Sequence, residues 1–209
     1  QKWCLENDGF EIYYNNFNMR VKRLLDILMA VVIGTICLPL MLIAAVIVKL
    51  GSKGPVLFVQ ERIGELNRPF DMYKFRSMAQ DAEKDGPQWA QKNDARITRF
   101  GKFMRLTRID ELPQLWNVIR GDMSFVGPRP EREFFIKQLE KEIPYYNLRH
   151  TVKPGLTGWA QIMYQYGSTI DDSYIKLQYD LYYIKHHNII FDFMIILNTI
   201  TTVILGKGR

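Results

Sequence analysis

At 209 residues, 47% hydrophobic and 13% aromatic, the chain has ample material for a packed core and is too apolar for a disordered protein. A formal charge of +6 points to anionic partners such as phosphorylated substrates, nucleic acid or acidic lipid heads. Two cysteines, Cys4 and Cys37, exclude a disulfide scaffold and fit a reducing compartment.

Residues 1–19 are polar with scattered aromatics (Trp3, Phe10, Tyr13, Tyr14, Phe17) and read as a linker from an upstream domain, which suits a chain that starts at Gln1. Arg20, Lys22 and Arg23 then introduce a long apolar run. Between Asp26 and Lys49 lie 22 uncharged residues. At ~1.5 Å per residue they make about 33 Å of helix, against roughly 30 Å of hydrocarbon. A single crossing fits that length. Yet cations flank both ends (Arg20, Lys22 and Arg23 before, Lys49 and Lys53 after), and both ends are therefore drawn to the cytoplasmic side. Pro39 also divides the run into arms of about 18 and 13 Å. A re-entrant helix entering and leaving by one face is the competing reading, with the carbonyl of Thr35 losing its partner at the proline.

Beyond residues 51–55 the pattern changes to β. PVLFVQERIG and PFDMYKFRSM, joined by the polar residues 65–68, predict a hairpin in which Lys74 and Arg76 alternate with Tyr73 and Phe75. Residues 79–94 are acidic and polar and read as a solvated helix and loop broken at Gly86-Pro87. Ile97, Phe100 and Met104 follow at helical spacing. Arg96, Arg99, Lys102, Arg105 and Arg108 recur every third residue and so drift around that helix. Some can face a ligand; others form a solvated basic face or meet anionic lipid heads.

Residues 105–131 read RLTRIDELPQLWNVIRGDMSFVGPRPE and set Asp110 and Glu111 among those cations. Asp110 can cap a helix with Glu111, Leu112 and Pro113 in its first turn, where proline is harmless. A capping box on Thr107 is the rival register. Leu112, Leu115, Trp116 and Ile119 would form the buried face, with Gly121 as the stop. A carboxylate at a helix start near Arg105 and Arg108 is favoured in its ionised form, while Glu111 opposes ionisation of the pair. Such an acid can attack phosphorus or hold Mg2+, and it can equally be only a cap. Pro128 and Pro130 fix the backbone on both sides of Arg129, whose fork matches phosphate. No dinucleotide, P-loop or nucleophile-elbow motif is present, and His150, His186 and His187 have no zinc spacing.

In the last third, Ile170, Tyr174, Leu177, Leu181 and Ile184 predict an amphipathic helix. Residues 189–205 are strongly apolar but short, and include Asp192 and Asn198. An interfacial helix with Lys207 and Arg209 beside lipid fits better than a span.

Together KRLLD, the apolar run with its proline, QERIG, YKFRSM, DELPQLWNV, GDMSFVGPRPE and KPGLTGWAQ resemble the monotopic bacterial sugar transferases. The resemblance covers about residues 20–205 and looks like the catalytic end of longer members. It implies a mainly α protein with a small β-hairpin, divided into a linker over 1–19, a re-entrant membrane helix over 20–50 and a catalytic domain over 51–209. It implies transfer of a sugar-1-phosphate from a UDP-sugar to undecaprenyl phosphate, with release of UMP, at the start of surface-glycan assembly on the cytoplasmic face of the bacterial inner membrane. By this resemblance Asp110 is the nucleophile and Glu111 its helper. Both lie near Mg2+, and Lys74, Arg76, Arg105 and Arg129 contact phosphate. The resemblance also implies membrane lipids and no nucleic acid as partners, and is compatible with a homodimer. The competing class is a non-catalytic basic scaffold on anionic lipid.

Overall fold

The computed structural model describes residues 16–79, 82, 94–164 and 169–204. It is mainly helical, with two small two-stranded sheets among the described residues. The acidic stretch read at 79–94 lies almost wholly outside them, as do Lys207 and Arg209.

Helix α1 runs unbroken from Asn16 to Gly51, 36 residues with Pro39 inside. Thr35, whose carbonyl loses its partner at Pro39, donates its hydroxyl to the Val31 carbonyl at 2.8 Å, a contact that bends helices. One stripe of α1 turns inward: Asp26, Ala30, Ala44 and Val48 are buried. The other face is bare, with Leu24, Leu28, Ile36, Leu42, Ile43 and Leu50 between 57% and 82% exposed. Both ends of the helix rest on the same body. Near its start, Arg23 donates to the carbonyls of Val118 and Ile119 at 2.5 and 2.8 Å, and Lys22 pairs with Asp192 at 2.5 Å. Asp26 accepts from the Phe125 amide at 3.1 Å. At its end, Ala44 and Val48 pack with Phe75 and Met104.

Strands β1 (Leu57–Ile63) and β2 (Pro69–Phe75) pair antiparallel with Phe58 opposite Lys74, as the hairpin pattern predicts. The turn places Leu66 and Asn67 at positive φ. Helix α2 (Arg99–Leu106) is capped by Thr98, which accepts from the Gly101 amide at 2.9 Å. Helix α3 (Leu115–Arg120) stops at Gly121, whose φ of 97° explains the glycine. Strand β3 (Ser124–Val126) pairs parallel with β4 (Gly155–Thr157), a second sheet that the sequence pattern does not announce. The approach is close: a Cβ on Gly155 would sit 2.2 Å from the Gly127 nitrogen.

Helices α4 (Glu133–Glu142), α5 (Trp159–Met163), α6 (Ile170–His186) and α7 (Ile189–Ile204) complete the body. Thr169 and Asp172 form the capping box of α6. The main core joins Ala30 of α1 to Met72, Leu115, Val118, Met123, Tyr183 and Ile195. A second core packs Ile63 and Leu177 against Ile136, Leu139 and Ile143. On α7 the inner face carries Ile195 and Asp192, while Ile190 and Phe193 are exposed.

Candidate active site

Three chain segments converge at one acid. Lys74 comes from the end of β2, Glu111 from a 3₁₀ turn over Ile109–Gln114, and Arg129 from the loop after β3. Glu111 Oε1 accepts from Arg129 Nη2 at 2.6 Å and from Lys74 Nζ at 3.2 Å. Arg108 Nη1 lies 3.6 Å from Oε2.

The helix start expected at Asp110 is not what forms. Asp110 lies within the 3₁₀ turn, Gln114 is the residue that precedes α3, and Thr107 ends α2 rather than capping a new helix. The reason is local. Arg108 adopts a left-handed conformation (φ 58°) that reverses the chain after α2, and Pro113, lacking a donor, suits the short turn that follows. Of the four residues expected on the buried face, Leu115 is buried and Leu112 and Ile119 pack partly against the core. Trp116 is 55% exposed, because α3 is only six residues long and turns that position outward.

The two acids have opposite environments. Burial opposes charge on Glu111, but Arg129, Lys74 and Arg108 outweigh it and hold this carboxyl well below the usual range. Asp110 is 6% exposed, and its Oδ1 is buried with no hydrogen-bond partner. Burial first, and the Glu111 charge second, push its carboxyl above the ordinary value against Lys74, Arg105 and Arg108. The expected bias of Asp110 toward ionisation is therefore reversed, because its burial and the neighbouring Glu111 charge outweigh Lys74, Arg105 and Arg108. Burial also lowers Lys74 to about 8, with Glu111 resisting.

The other candidate residues are distributed as follows. Arg105 contributes positive charge toward Asp110 and donates from Nε to Ser77 Oγ at 2.8 Å. Arg76 turns the other way because β2 ends at Phe75: its guanidinium donates to the Ser52 and Lys53 carbonyls at 2.9 Å each, just past α1. Of the drifting basic series, Arg99 and Lys102 are exposed and Arg96 pairs with Asp94. Pro128 accepts from the Gly155 amide at 3.0 Å, and Pro130 from Arg62 at 3.2 Å. These bonds set the loop on which Arg129 rides. Pro39 is exposed far along α1 and is not part of this cluster.

The acid pair fits a hard cation in one way only. Glu111 is occupied by cations, whereas Asp110 Oδ1 is an unpartnered oxygen. Among the described residues no group of three His, Cys, Asp or Glu could form a protein cage for a metal. One carboxylate oxygen completed by substrate phosphates and water matches the way Mg2+ is usually held.

Two buried residues that carry this site give almost no sequence signal. Arg149 donates from Nη2 to the Arg129 carbonyl at 2.9 Å, and Asp180 pairs with Arg149. Asp180 stands as a lone acid in the apolar stretch LQYDLYY, the one hint available.

A profile of the bacterial sugar transferases matches residues 17–206, and the chain belongs to that family. It is 50% identical over 188 residues to the UDP-N-acetylgalactosamine-undecaprenyl-phosphate N-acetylgalactosaminephosphotransferase of Aeromonas hydrophila, covering 90% of this chain and 44% of that protein. It is 42% identical over 201 residues to the UDP-glucose:undecaprenyl-phosphate glucose-1-phosphate transferase of Klebsiella pneumoniae, covering 95% of this chain and 43% of that one. With the exopolysaccharide production protein PSS of Rhizobium leguminosarum bv. phaseoli it shares 39% identity over 195 residues, 90% of this chain and 98% of the relative. The chain thus spans under half the length of the first two relatives and nearly all of the third.

Proposed function

We propose that this chain moves a sugar-1-phosphate from a UDP-sugar to undecaprenyl phosphate, releasing UMP, through a covalent intermediate on Asp110. The observation that carries this reading is the division of labour in the acid pair. Glu111 gathers Lys74, Arg129 and Arg108, and Asp110 presents a buried, unpartnered oxygen beside them. A carboxylate without its hydration shell, set against ordered cations, suits attack on a diphosphate.

An Asp110 oxygen forms a bond to the sugar-bearing phosphorus, and the bond to the bridging oxygen breaks, its electron pair leaving with UMP. An oxygen of undecaprenyl phosphate then attacks the same phosphorus, and Asp110 departs as carboxylate. Glu111 keeps Lys74, Arg129 and Arg108 together, and these cations face the charge that shifts between the phosphates. Mg2+ held through Asp110 and substrate oxygens would supply further neutralisation of the diphosphate.

The reading includes the membrane. We place α1 as a re-entrant segment bent at Pro39, with the chain on the cytoplasmic face of the inner membrane and α7 lying in the interface. In support, both ends of α1 rest on one body while its outer face is bare apolar surface. The step would begin exopolysaccharide or surface-glycan assembly, as the name of the Rhizobium relative suggests.

The test is UMP release by the full chain in lipid nanodiscs with undecaprenyl phosphate and a panel headed by UDP-N-acetylgalactosamine and UDP-glucose. Asp110→Asn should lose turnover while keeping its fold and its membrane retention. Full turnover by that variant would rule out the covalent route.

A further inference from the structure

Beneath the Gly127-Pro128-Arg129-Pro130 loop lies a charge pair that the chemistry above leaves unused. Arg149, in the 3₁₀ turn Tyr146–Thr151, and Asp180, on α6, face each other at 2.9 Å with side chains only 7% and 3% exposed. A buried pair of this kind adds little stability over apolar residues of the same shape, so its geometry is better read as serving position. That geometry is specific. Arg149 Nη1 donates to Tyr146 Oη at 2.6 Å, and its guanidinium lies 5.1 Å from the Tyr146 ring centroid. Nη2 reaches the backbone carbonyl of Arg129 at 2.9 Å. Arg129 in turn donates to Glu111 Oε1 at 2.6 Å.

The contacts form one line, from Asp180 through Arg149 to the Arg129 peptide and out along the Arg129 side chain to Glu111. The neighbouring peptides are held separately. The Gly127 amide donates to Thr157 and the Gly155 amide to Pro128, both at 3.0 Å. Arg149 supplies the corresponding bond to the Arg129 peptide itself, between two residues whose φ is already locked by proline. A planar fork is the right group for this work, because one guanidinium can hold an acid, a phenol and a carbonyl in fixed directions.

We propose that Arg149, oriented by Asp180 and Tyr146, is a positioning residue that fixes the Arg129 peptide, so that the Arg129 guanidinium meets Glu111 and the substrate diphosphate together. The proposal rests on the transferase reading, and it assigns no direct substrate contact to Arg149, Asp180 or Tyr146.

A double-mutant cycle on the full chain in nanodiscs tests it. Arg149→Lys keeps the charge beside Asp180 but loses the fork to the Arg129 carbonyl. It should lower kcat/KM for UMP release by about a hundredfold, the effect of misplacing a binding group by roughly 1 Å. Added to Arg129→Ala, it should cost nothing more. Tyr146→Phe, a milder change that keeps the ion pair, should lower kcat/KM in the wild-type background and be silent in Arg129→Ala. Hydrogen exchange is read alongside: the Gly127 and Gly155 amides, whose bonds anchor this loop, should exchange faster in both variants, while those of α6 stay protected. Effects that multiply with Arg129→Ala, or loop amides that stay as protected as in wild type, would overturn the positioning role. If the wild-type chain releases no UMP from any UDP-sugar, the transferase reading fails, and the exchange measurement still decides the positioning on its own.

Discussion

Replacing Glu111 by Gln removes one negative charge from the point where three cations meet. The size of the effect follows from the contacts. Two of them, at 2.6 and 3.2 Å, are charge-assisted hydrogen bonds. Each is worth about 1.5–3 kcal/mol, and Gln, which still accepts from both cations but carries no charge of its own, keeps only the lower part of that range. Arg108, at 3.6 Å and 36% exposed, adds less than about 1 kcal/mol. Because Arg129 is 35% exposed, solvent screens part of this, and the net loss is about 2 kcal/mol. At roughly 2–4 °C per kcal/mol for a chain of this size, the thermal midpoint should fall by about 4–8 °C at pH 7. The assay is thermal unfolding of the full chain in nanodiscs. Its pH dependence carries the sign. The folded Glu111 carboxyl lies below its unfolded value of about 4.3. Its contribution is therefore complete above that pH and is lost as pH falls toward the folded value. The gap between wild type and Glu111→Gln should be constant from pH 7 to 5 and narrow below about 4. A variant within about 0.5 kcal/mol of wild type at pH 7, or a gap that stays flat through pH 3, would refute the assignment of Glu111 as the holder of these cations.

Lys74 has to be charged to meet a diphosphate, and burial lowers it to about 8. The kcat/KM profile of UMP release should therefore fall above about pH 8, and Lys74→Arg should move that limb upward; an unmoved limb would exclude Lys74 as its source. Gly155→Ala puts a Cβ 2.2 Å from the Gly127 nitrogen and 2.3 Å from the Thr157 carbonyl. It should separate β3 from β4 at a cost above about 3 kcal/mol, seen as loss of the cooperative unfolding transition. Cysteines introduced at positions 20–23 and at 53 should be labelled from the same side of the membrane; opposite-side labelling would exclude the re-entrant placement of α1.

Much of the site is legible in the sequence because its parts carry local chemistry. An acid pair after a basic series, and an arginine between prolines, mark the stretch as a candidate for phosphate chemistry, and the β1–β2 hairpin follows from its alternation. What the sequence hides is direction. Lys74 and Arg76 share a strand parity, yet the strand ends between them and they part company. Asp110 looks like a helix cap because an acid, a proline and an apolar run follow one another, but the left-handed Arg108 turns the same letters into a short 3₁₀ segment. The pairs Lys22–Asp192 and Arg149–Asp180 join residues far apart in the chain and have no local signature. The same holds for the parallel pairing of three-residue β3 and β4, which depends on glycines meeting across the fold.

The central claim is that Asp110 becomes covalently joined to the sugar phosphate. Its most direct test is intact-protein mass spectrometry of the full chain after incubation with UDP-N-acetylgalactosamine or UDP-glucose, without undecaprenyl phosphate. The expected result is a mass increase of one phosphosugar, mapped to Asp110, with about one equivalent of UMP released and the adduct discharged when undecaprenyl phosphate is added. Turnover in the complete mixture with no adduct and no UMP before the acceptor arrives would contradict it.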